Sequence, residues 1–380
     1  MQGGIKPMAI TARFNFVGTP FIPKEGSKRP FFKVTEKIDE KSKKKKTMVG
    51  MNFGIKESDV NMAFVEAFDS VQDKILTMDV DNQKLTIDWE DRFDEDVISK
   101  VANYRKYVVN LGEDFGGRHE FITAYDFMNY LNENLREYKG KIRATGQFTK
   151  EWYAAQEKYT ERFRLQNVYA ADEDVKPRLA LVADLYYNRD SVDKSSFKEN
   201  KKVYLDAYIE QYINKDEGRK MIPMQVVFSA AKYRVDENDK HKKLFDYKMS
   251  YIDTKSKTYV HIPWDIVLIR GSEETEFNET MLTAKQKEQI ELGLKKLEDF
   301  KPKGTIVGDR VNEYRLFDPR LDGEFADGLV DTEETSSEFE ERIYCSAKEE
   351  TLDEAISNSK KAKVEYTMSY DEEDDDLDLF

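Results

Sequence analysis

Two segments near the middle of the chain carry positively charged residues on a repeating polar face. Lys141 to Thr149 and Lys158 to Tyr169 alternate apolar and polar residues with a period of two, which predicts β-strands. Aromatic residues accompany them, since 12 of the 21 tyrosines lie between Tyr153 and Tyr259. Exposed rings stack on unpaired bases, while Lys and Arg contact phosphates without reading sequence. The candidate nucleic-acid-binding residues are Lys141, Arg143, Trp152, Tyr153, Lys158, Tyr159, Arg162, Arg164, Tyr186, Tyr187, Tyr204 and Tyr208.

A structural role is the alternative for each of these residues. Rings of this kind commonly fill a protein interior, and basic side chains commonly form a hydrated surface. The lysine run from Lys43 to Lys46 has the same two interpretations, a loop that contacts phosphates or an ordinary charged loop. The residue types alone leave both open.

The sequence offers little for catalysis. The glycine-rich segment GEDFGG at 112 to 117 lacks the lysine that a phosphate-binding loop needs, and no Gly-x-Ser-x-Gly motif occurs. One cysteine, Cys345, and three histidines provide neither a disulfide nor a zinc cluster. We therefore expect no enzyme activity, no metal site and no cofactor. A metal-dependent nuclease built from carboxylates such as Asp79, Asp88 and Glu90 is the enzymatic alternative.

The negative charge is concentrated at the C-terminal end. Residues 331 to 380 contain 18 Asp/Glu and 5 Lys/Arg, which accounts for −13 of the net −14. Residues 139 to 270 contain 26 basic and 20 acidic side chains, a net of +6. A positive surplus favours polyanion binding, because neutralised phosphates release counterions. The basic middle is therefore the expected ligand-binding region.

The last ten residues, DEEDDDLDLF, are the most specific feature of the sequence. Carboxylates followed by an apolar end can dock on a partner that offers a pocket surrounded by basic residues. The same residues can also occupy a basic groove of their own chain. Solubility is the general alternative for an acidic tail. The predicted docking residues are Asp374, Asp375, Asp376, Asp378, Leu379 and Phe380.

The secondary-structure elements that must position these residues fall into four predicted structural units. These are an α+β domain at 1 to 138, an oligonucleotide-binding-like (OB-like) β-barrel at 139 to 270, a helical extension at 271 to 330 and a flexible acidic tail at 331 to 380. The fold class is therefore α+β and mainly β, and no internal repeat is evident. Further predictions are a hairpin around the loop from Asp39 to Thr47, helices at 61 to 68, 124 to 138 and 283 to 300, and extended segments that include 202 to 213 and 243 to 253.

The terminal DEEDDDLDLF resembles the acidic tip of single-stranded DNA-binding proteins from bacteria and tailed bacteriophages. The sequence from Gly140 to Thr149 resembles the first strand of their OB barrel, and the segment KPKGTIVGDRVNEYRL from Lys301 resembles the larger phage-encoded members. The chain departs from the compact bacterial form in its length and its N-terminal unit.

The resemblance implies a non-sequence-specific single-stranded DNA-binding protein that acts in phage DNA replication or recombination. It implies single-stranded DNA as ligand, replication and recombination proteins recruited through the tip, and compatibility with a homo-oligomer. No membrane segment or secretory signal is evident, so we expect the host cytoplasm. The non-enzymatic alternative is an acidic DNA mimic that inhibits a host nuclease.

Overall fold

Residues 12–170 form ten strands and two longer helices around one barrel. The computed structural model describes residues 12–38, 45–153, 158–230, 239–274, 277, 279–302 and 307–344. In chain order the first elements are β1 (Ala12–Phe21), β2 (Phe32–Ile38), β3 (Lys45–Ser58), β4 (Asn61–Ser70), β5 (Lys74–Met78), β6 (Lys84–Asp88), α1 (Glu95–Lys100), β7 (Tyr107–Asn110), β8 (Arg118–Phe121), α2 (Ala124–Asn134), β9 (Ile142–Tyr153) and β10 (Lys158–Ala170).

Five of these strands close the first barrel. The pairings run β1–β3–β4–β10–β9 and return to β1. Every pairing is antiparallel except that of β4 with β10, which is parallel. Phe14 and Phe16 of β1 point into the barrel, and α2 buries Phe127 and Leu131 against the same core. Of the remaining strands, β2 pairs with β3, and β5 to β8 belong to an insertion between β4 and β9.

Residues 178–344 supply the second set of elements. They are β11 (Arg178–Tyr187), β12 (Val192–Asp193), α3 (Phe197–Asn200), β13 (Lys202–Asn214), β14 (Gly218–Ser229), α4 (Asp239–Ile252), β15 (Val260–Glu274), α5 (Ala284–Glu291), β16 (Val307–Pro319), β17 (Val330–Asp331) and α6 (Ser336–Glu341).

The second set repeats the plan of the first. Its pairings run β11–β13–β14–β16–β15 and return to β11, and again only the contact between the third and fifth strands, β14 with β16, is parallel. In both halves a helix, α2 or α4, lies between the third and fourth strands. A five-stranded Greek-key barrel is the architecture of the OB fold. The chain therefore contains two OB-type barrels, a repeat that its residue pattern did not reveal.

The two barrels share one continuous sheet. Their first strands, β1 and β11, pair antiparallel from Ala12 opposite Ala183 to Val17 opposite Arg178. A second joint pairs Gly271 of β15 with Asn61 of β4. An added Cβ at Gly271 would lie 1.8 Å from the backbone oxygen of Val60, so only glycine allows this approach.

This arrangement corrects the predicted position of the barrel. The expected boundary between residues 138 and 139 falls inside the first barrel, between α2 and β9. Residues 139 to 270 therefore contain the last two strands of one barrel and the first four long strands of the other. The mainly β class and the OB-like architecture agree with the structure. Independent folding of the four predicted units stays a prediction.

Several predicted elements are confirmed and others change type. The hairpin β2–β3 and the strand β13 form where expected, and the helix predicted over 124 to 138 begins at Ala124 but ends at Asn134. The segment 61 to 68, predicted as a helix, is strand β4, in which Ala63, Val65 and Ala67 point inward and the residues between them point outward. The segment 243 to 253, predicted as extended, belongs to α4. Both errors arose in short apolar runs, where a period of two and a period of 3.6 give similar patterns.

The C-terminal predictions are corrected in two places. The helix expected over 283 to 300 ends at Glu291, and Gly293 adopts a left-handed conformation with φ of 69°. Residues 331–344, expected to be flexible, include α6, whose Phe339 is fully buried. The tip from Asp374 to Phe380 lies outside the described residues. Among the described helices, none has both the length and the apolar character needed to cross a membrane.

Candidate nucleic-acid interface

The outer face of the second and third strands of the first barrel exposes aromatic rings. Phe64 and Phe68 alternate with inward-pointing residues along β4, and they remain 37% and 63% exposed. Gly54 and Gly50 of β3 lie directly opposite them. Because a glycine has no side chain, no neighbouring group on β3 covers the Phe68 ring, and a Cβ built at Gly50 would still be 4.0 Å from it. The Phe68 ring is therefore open to a ligand, whereas Met62 and Phe21 fill the space at Gly54 beside Phe64.

Positively charged residues surround these rings. Lys33 of β2 is exposed and lies opposite Gly50, so Lys33, Gly50 and Phe68 form one row across the sheet. At the other end, the Lys56 Nζ lies 5.3 Å from the centroid of the Phe21 ring, which itself lies 6.3 Å from the Phe64 ring. Aromatic rings beside lysines are the combination that single-strand binding uses.

Four of the sequence-predicted residues extend this face across β9 and β10. The Arg162 Nη1 donates to the Glu66 carboxylate at 3.0 Å, and Glu66 lies between Phe64 and Phe68 on β4. Arg164 forms an ion pair with Glu151. At the hairpin end, Tyr153 is 49% exposed and pairs with the exposed Lys158. The structure thus brings Tyr153, Lys158, Arg162 and Arg164 to the sheet that carries the two phenylalanines.

Two predicted cations lie at the opposite end of β9. The Lys141 Nζ donates to the backbone oxygens of Glu173 and Val175, the latter at 2.9 Å, so it holds a loop in place. Arg143 is exposed and lies opposite Tyr169. About ten strand residues, or roughly 30 Å, separate this end from Tyr153. One mononucleotide therefore cannot contact both groups.

Trp152 and Tyr159 form a cross-strand pair on the other face of the same hairpin. Their ring centroids lie 5.2 Å apart in an edge-to-face arrangement. The Tyr159 hydroxyl donates to the backbone oxygen of Tyr344 at 2.7 Å, and both rings are half-buried. Tyr159 therefore contacts the segment that follows α6, and Trp152 packs against Tyr159 rather than on the open face.

The four predicted tyrosines of the second barrel have different environments. Tyr186 stacks on His261 with centroids 4.7 Å apart, and it pairs across the sheet with Tyr208. Burial, with the Asp184 carboxylate as the next cause, raises the pKa of Tyr186. Tyr204 is half-buried opposite Asp193.

Tyr187 is a correction to the predicted set. Its side chain is fully buried, and its hydroxyl donates to the backbone oxygen of Tyr251 at 2.6 Å. Alternation along β11 points Tyr186 outward and Tyr187 inward. Tyr187 therefore packs in the core and offers no ring face to a ligand.

A buried group of charges joins the barrels beneath this surface. Glu161 of β10 forms an ion pair with Arg270 of β15, and the Lys150 Nζ of β9 donates to the Pro223 backbone oxygen at 2.7 Å. Burial by itself raises the pKa of the Glu161 carboxyl, but Arg270 and Lys150 outweigh it and lower that pKa overall. Burial lowers the pKa of the Lys150 ammonium. These charges hold the two barrels in register and are not available to a ligand.

Phe64 and Phe68 were missed because the residues 61 to 68 were assigned to a helix. The signal that could have found them is the alternation of Ala63, Val65 and Ala67 with larger residues, which puts the small side chains inside. The carboxylates of the nuclease alternative have local roles: Asp79 accepts from the Gln83 amide at 2.7 Å, and Asp88 pairs with Lys74. Within the described part of the chain, no three His, Cys, Asp or Glu residues are grouped as metal ligands would be.

Comparison with known proteins adds two solved structures. No protein-family model and no curated protein sequence matches the chain. The wild-type single-stranded DNA-binding protein from Thermus aquaticus matches over 68% of this chain and 85% of its own, with 7% identity and a TM-score of 0.27. A deletion mutant of the same protein matches over 68% and 86%, with 8% identity and a TM-score of 0.27. At these values the similarity carries no argument about function, so the functional proposal rests on the geometry of the surface.

Proposed function

We propose that this protein binds single-stranded DNA without sequence specificity and is not an enzyme. The observation that carries the proposal is the outer face of β3 and β4, where Phe64 and Phe68 lie exposed opposite glycines and beside Lys33 and Arg162. The second and third strands of an OB barrel are the face that accommodates oligonucleotides in that architecture. Both the fold and the residue types support the same ligand.

The chemistry of binding follows from these residue types. Unpaired bases stack on the phenylalanine rings, and each stacked base contributes about 1 to 3 kcal/mol. Lysine and arginine side chains contact the phosphates and release counterions, so affinity falls as salt rises. Strand β3 begins with Lys45 and Lys46, the exposed end of the run Lys43 to Lys46. We assign this run to the phosphate backbone, together with Lys158.

The biological setting belongs to the proposal as well. The acidic end at Asp374 to Phe380 supports recruitment of replication or recombination proteins, because carboxylates and a terminal aromatic residue suit a basic pocket on a partner. Its resemblance to the tips of phage proteins supports a role in phage DNA replication or recombination inside the host cell. Tyr153, Arg162, Arg164 and the exposed Arg143 are the sequence-predicted residues that we assign to the strand.

Substitution of Phe68 tests the proposal directly. Phe68→Ala should weaken binding to oligothymidine by about 5- to 100-fold, because it removes the stacking of one base. Folding should be preserved, since the ring is mainly exposed. Fluorescence anisotropy at fixed salt measures the affinity.

Phe93→Ala is the matched control. Phe93 is 58% exposed but lies outside the barrels, in the insertion after β6. Its replacement should leave the affinity unchanged. Equal affinities of wild type and both variants would contradict the assigned face. Failure of the wild-type protein to retain single strands, or degradation of DNA on adding Mg²⁺, would contradict the function itself.

A further inference from the structure

The segment after β17 covers the outer face of the second barrel with an aromatic ring. Phe339 of α6 is fully buried and stacks on Tyr259, with centroids 3.7 Å apart and planes 13° apart. It also contacts Tyr208 at 5.7 Å and Tyr186 at 6.1 Å between centroids. Phe339 thus lies in a group of rings supplied by three different parts of the second barrel.

This covered face corresponds to the open face of the first barrel. Phe21, at the end of the first strand β1, pairs with Gly54 of the second strand β3. Tyr186, near the end of β11, pairs in the same way with Tyr208 of β13. Tyr186 and Tyr208 point away from the barrel core, since their neighbours along each strand are buried, and Phe21 is half-buried. Equivalent surfaces are therefore open in one barrel and filled in the other.

The covering segment has the chemistry of a nucleic-acid strand. Between residues 331 and 341 it contains one ring, Phe339, and six carboxylates at Asp331, Glu333, Glu334, Glu338, Glu340 and Glu341. A stacked ring flanked by negative charges reproduces a base flanked by phosphates. Lysines also lie just before or at the start of the second strand of each barrel: Lys198 and Lys201 before β13, and Lys45 and Lys46 at the start of β3. Nearby Lys194 and Lys202 form ion pairs with Asp253 and Glu313.

The segment is held by few contacts beyond the ring. The Met221 amide donates to the Arg342 oxygen at 2.8 Å, and the Tyr344 amide donates to the Met221 oxygen at 2.9 Å. Arg342 forms ion pairs with Glu210 and Glu334, and the Thr332 amide donates to the Tyr259 oxygen at 3.1 Å. The Arg342–Glu334 pair lies within the segment, the other contacts join it to the second barrel, and the Tyr159 hydroxyl of the first barrel donates to the Tyr344 oxygen. Its release therefore leaves the interior of that barrel intact.

We propose that the second barrel carries a second single-strand site, formed by Tyr208, Tyr259 and Tyr186, which Phe339 occupies in the structure described here. Single-stranded DNA competes with the segment for these rings, and the first barrel binds without this competition. This inference rests on the proposed function. The segment around Phe339 thus limits how many bases the protein contacts at once.

A two-site titration of the full chain tests the inference. An oligothymidine of about 10 nucleotides fits a single OB barrel, so two molecules should bind per chain, the second more weakly. Phe339→Ala should strengthen the second binding event by about tenfold and leave the first unchanged. Adding Tyr208→Ala to that variant should remove the gain. Isothermal titration calorimetry resolves both events.

A covalent lock provides an independent variant. Met221 and Ile343 form a β-bridge, so Met221→Cys with Ile343→Cys in a Cys345→Ser background can join the segment to β14. The oxidised protein should bind one oligothymidine per chain, and reduction should restore the second event. Thermal unfolding of each variant, followed by circular dichroism, shows whether the fold is retained.

The outcomes separate the two proposals. An unchanged second event in Phe339→Ala, a gain that survives Tyr208→Ala, or an oxidised lock that still binds two molecules would overturn this inference alone. Absence of any binding by the wild-type chain would overturn the proposed function instead. If Phe68→Ala lost the first binding event and Phe339→Ala showed no stronger second event, this inference would be overturned and the first-barrel site alone would be supported.

Discussion

Glu161 shows how one residue can matter without touching a ligand. Its carboxylate lies between Arg270 and Lys150 at the junction of the barrels, and the Tyr314 hydroxyl completes the group by accepting from the Arg270 Nη2 at 2.8 Å. The side chain is only 12% exposed, so its charge is compensated by protein groups rather than by water. Removing one member of a buried ion pair leaves the other without compensation.

Glu161→Gln should lower the free energy of unfolding by about 3 kcal/mol at neutral pH. Because the folded pKa of Glu161 is lowered, its contribution is present above the unfolded pKa of about 4.3 and is lost as pH falls through the folded pKa. The difference between wild type and Glu161→Gln should therefore shrink in acid. Urea unfolding at pH 7, 4.5 and 3 measures it. A difference that grows as pH falls would contradict the assignment.

At the scale of elements, strands β3 and β4 form the open face. Strand β4 alternates small inward residues with larger outward ones, and β3 places glycines opposite the outward rings. A β-branched residue normally suits such a position in a strand, because it packs against its cross-strand neighbour. Glycine at this position sacrifices that packing and leaves the ring accessible.

Gly50→Val should therefore lower the affinity for DNA without lowering the stability of the fold. A Cβ at this position meets the Phe68 ring at an ordinary contact distance of 4.0 Å. The free energy of unfolding should stay the same or rise by up to about 1 kcal/mol. Affinity for oligothymidine should fall by about 3- to 10-fold, because the valine covers part of the ring that a base would use.

Gly50→Ala serves as the comparison for that substitution, since its single methyl group covers little of the ring. Anisotropy titrations and thermal unfolding measure the two properties separately. If the affinity of both variants changed in parallel with their stability, and not with the accessibility of the Phe68 ring, the stacking role of Phe68 would be contradicted.

At the scale of the whole molecule, the two barrels are joined along one sheet and one core. They share a continuous sheet through β1 and β11, a common core and the buried charges around Glu161. The second joint, at Gly271, brings β15 against β4: the Ser272 amide donates to the Val60 oxygen at 3.0 Å, and the Arg270 amide donates to the Asn61 side chain at 2.7 Å. A shared interior predicts that the barrels unfold together.

Gly271→Ala should weaken this joint by about 2 kcal/mol or more, because its Cβ would overlap the Val60 oxygen and its φ of 145° is strained for alanine. In a background carrying Trp89→Phe and Trp152→Phe, so that Trp264 is the remaining tryptophan, circular dichroism and fluorescence should give one midpoint in urea. In Gly271→Ala the two probes should separate.

Gly26→Ala is the matched control for backbone strain. Gly26 also has a positive φ, of 84°, but nothing lies within 4 Å of its added Cβ. That variant should keep coincident midpoints. Coincident midpoints in Gly271→Ala, at the wild-type stability, would show that this joint does not couple the barrels.

Much of the strand content could be predicted from the sequence, because the alternation in segments such as Lys141 to Thr149 reflects a local property, the two faces of a pleated strand. The same alternation correctly placed Arg162 and Arg164 on one polar face. The concentration of acidic residues after residue 331 and the basic surplus of the middle of the chain are also fixed by composition.

Only the tertiary structure decided how the strands pair and which rings stay open. The contact of β4 with β10 joins residues almost a hundred positions apart, as in Glu66 opposite Arg164, and no local pattern encodes such a pairing. Phe68 is exposed because Gly50 happens to lie across from it, whereas Tyr208 is covered because Phe339 reaches it from the other end of its half of the chain. Exposure depends on what packs opposite a residue, and that is a property of the folded chain.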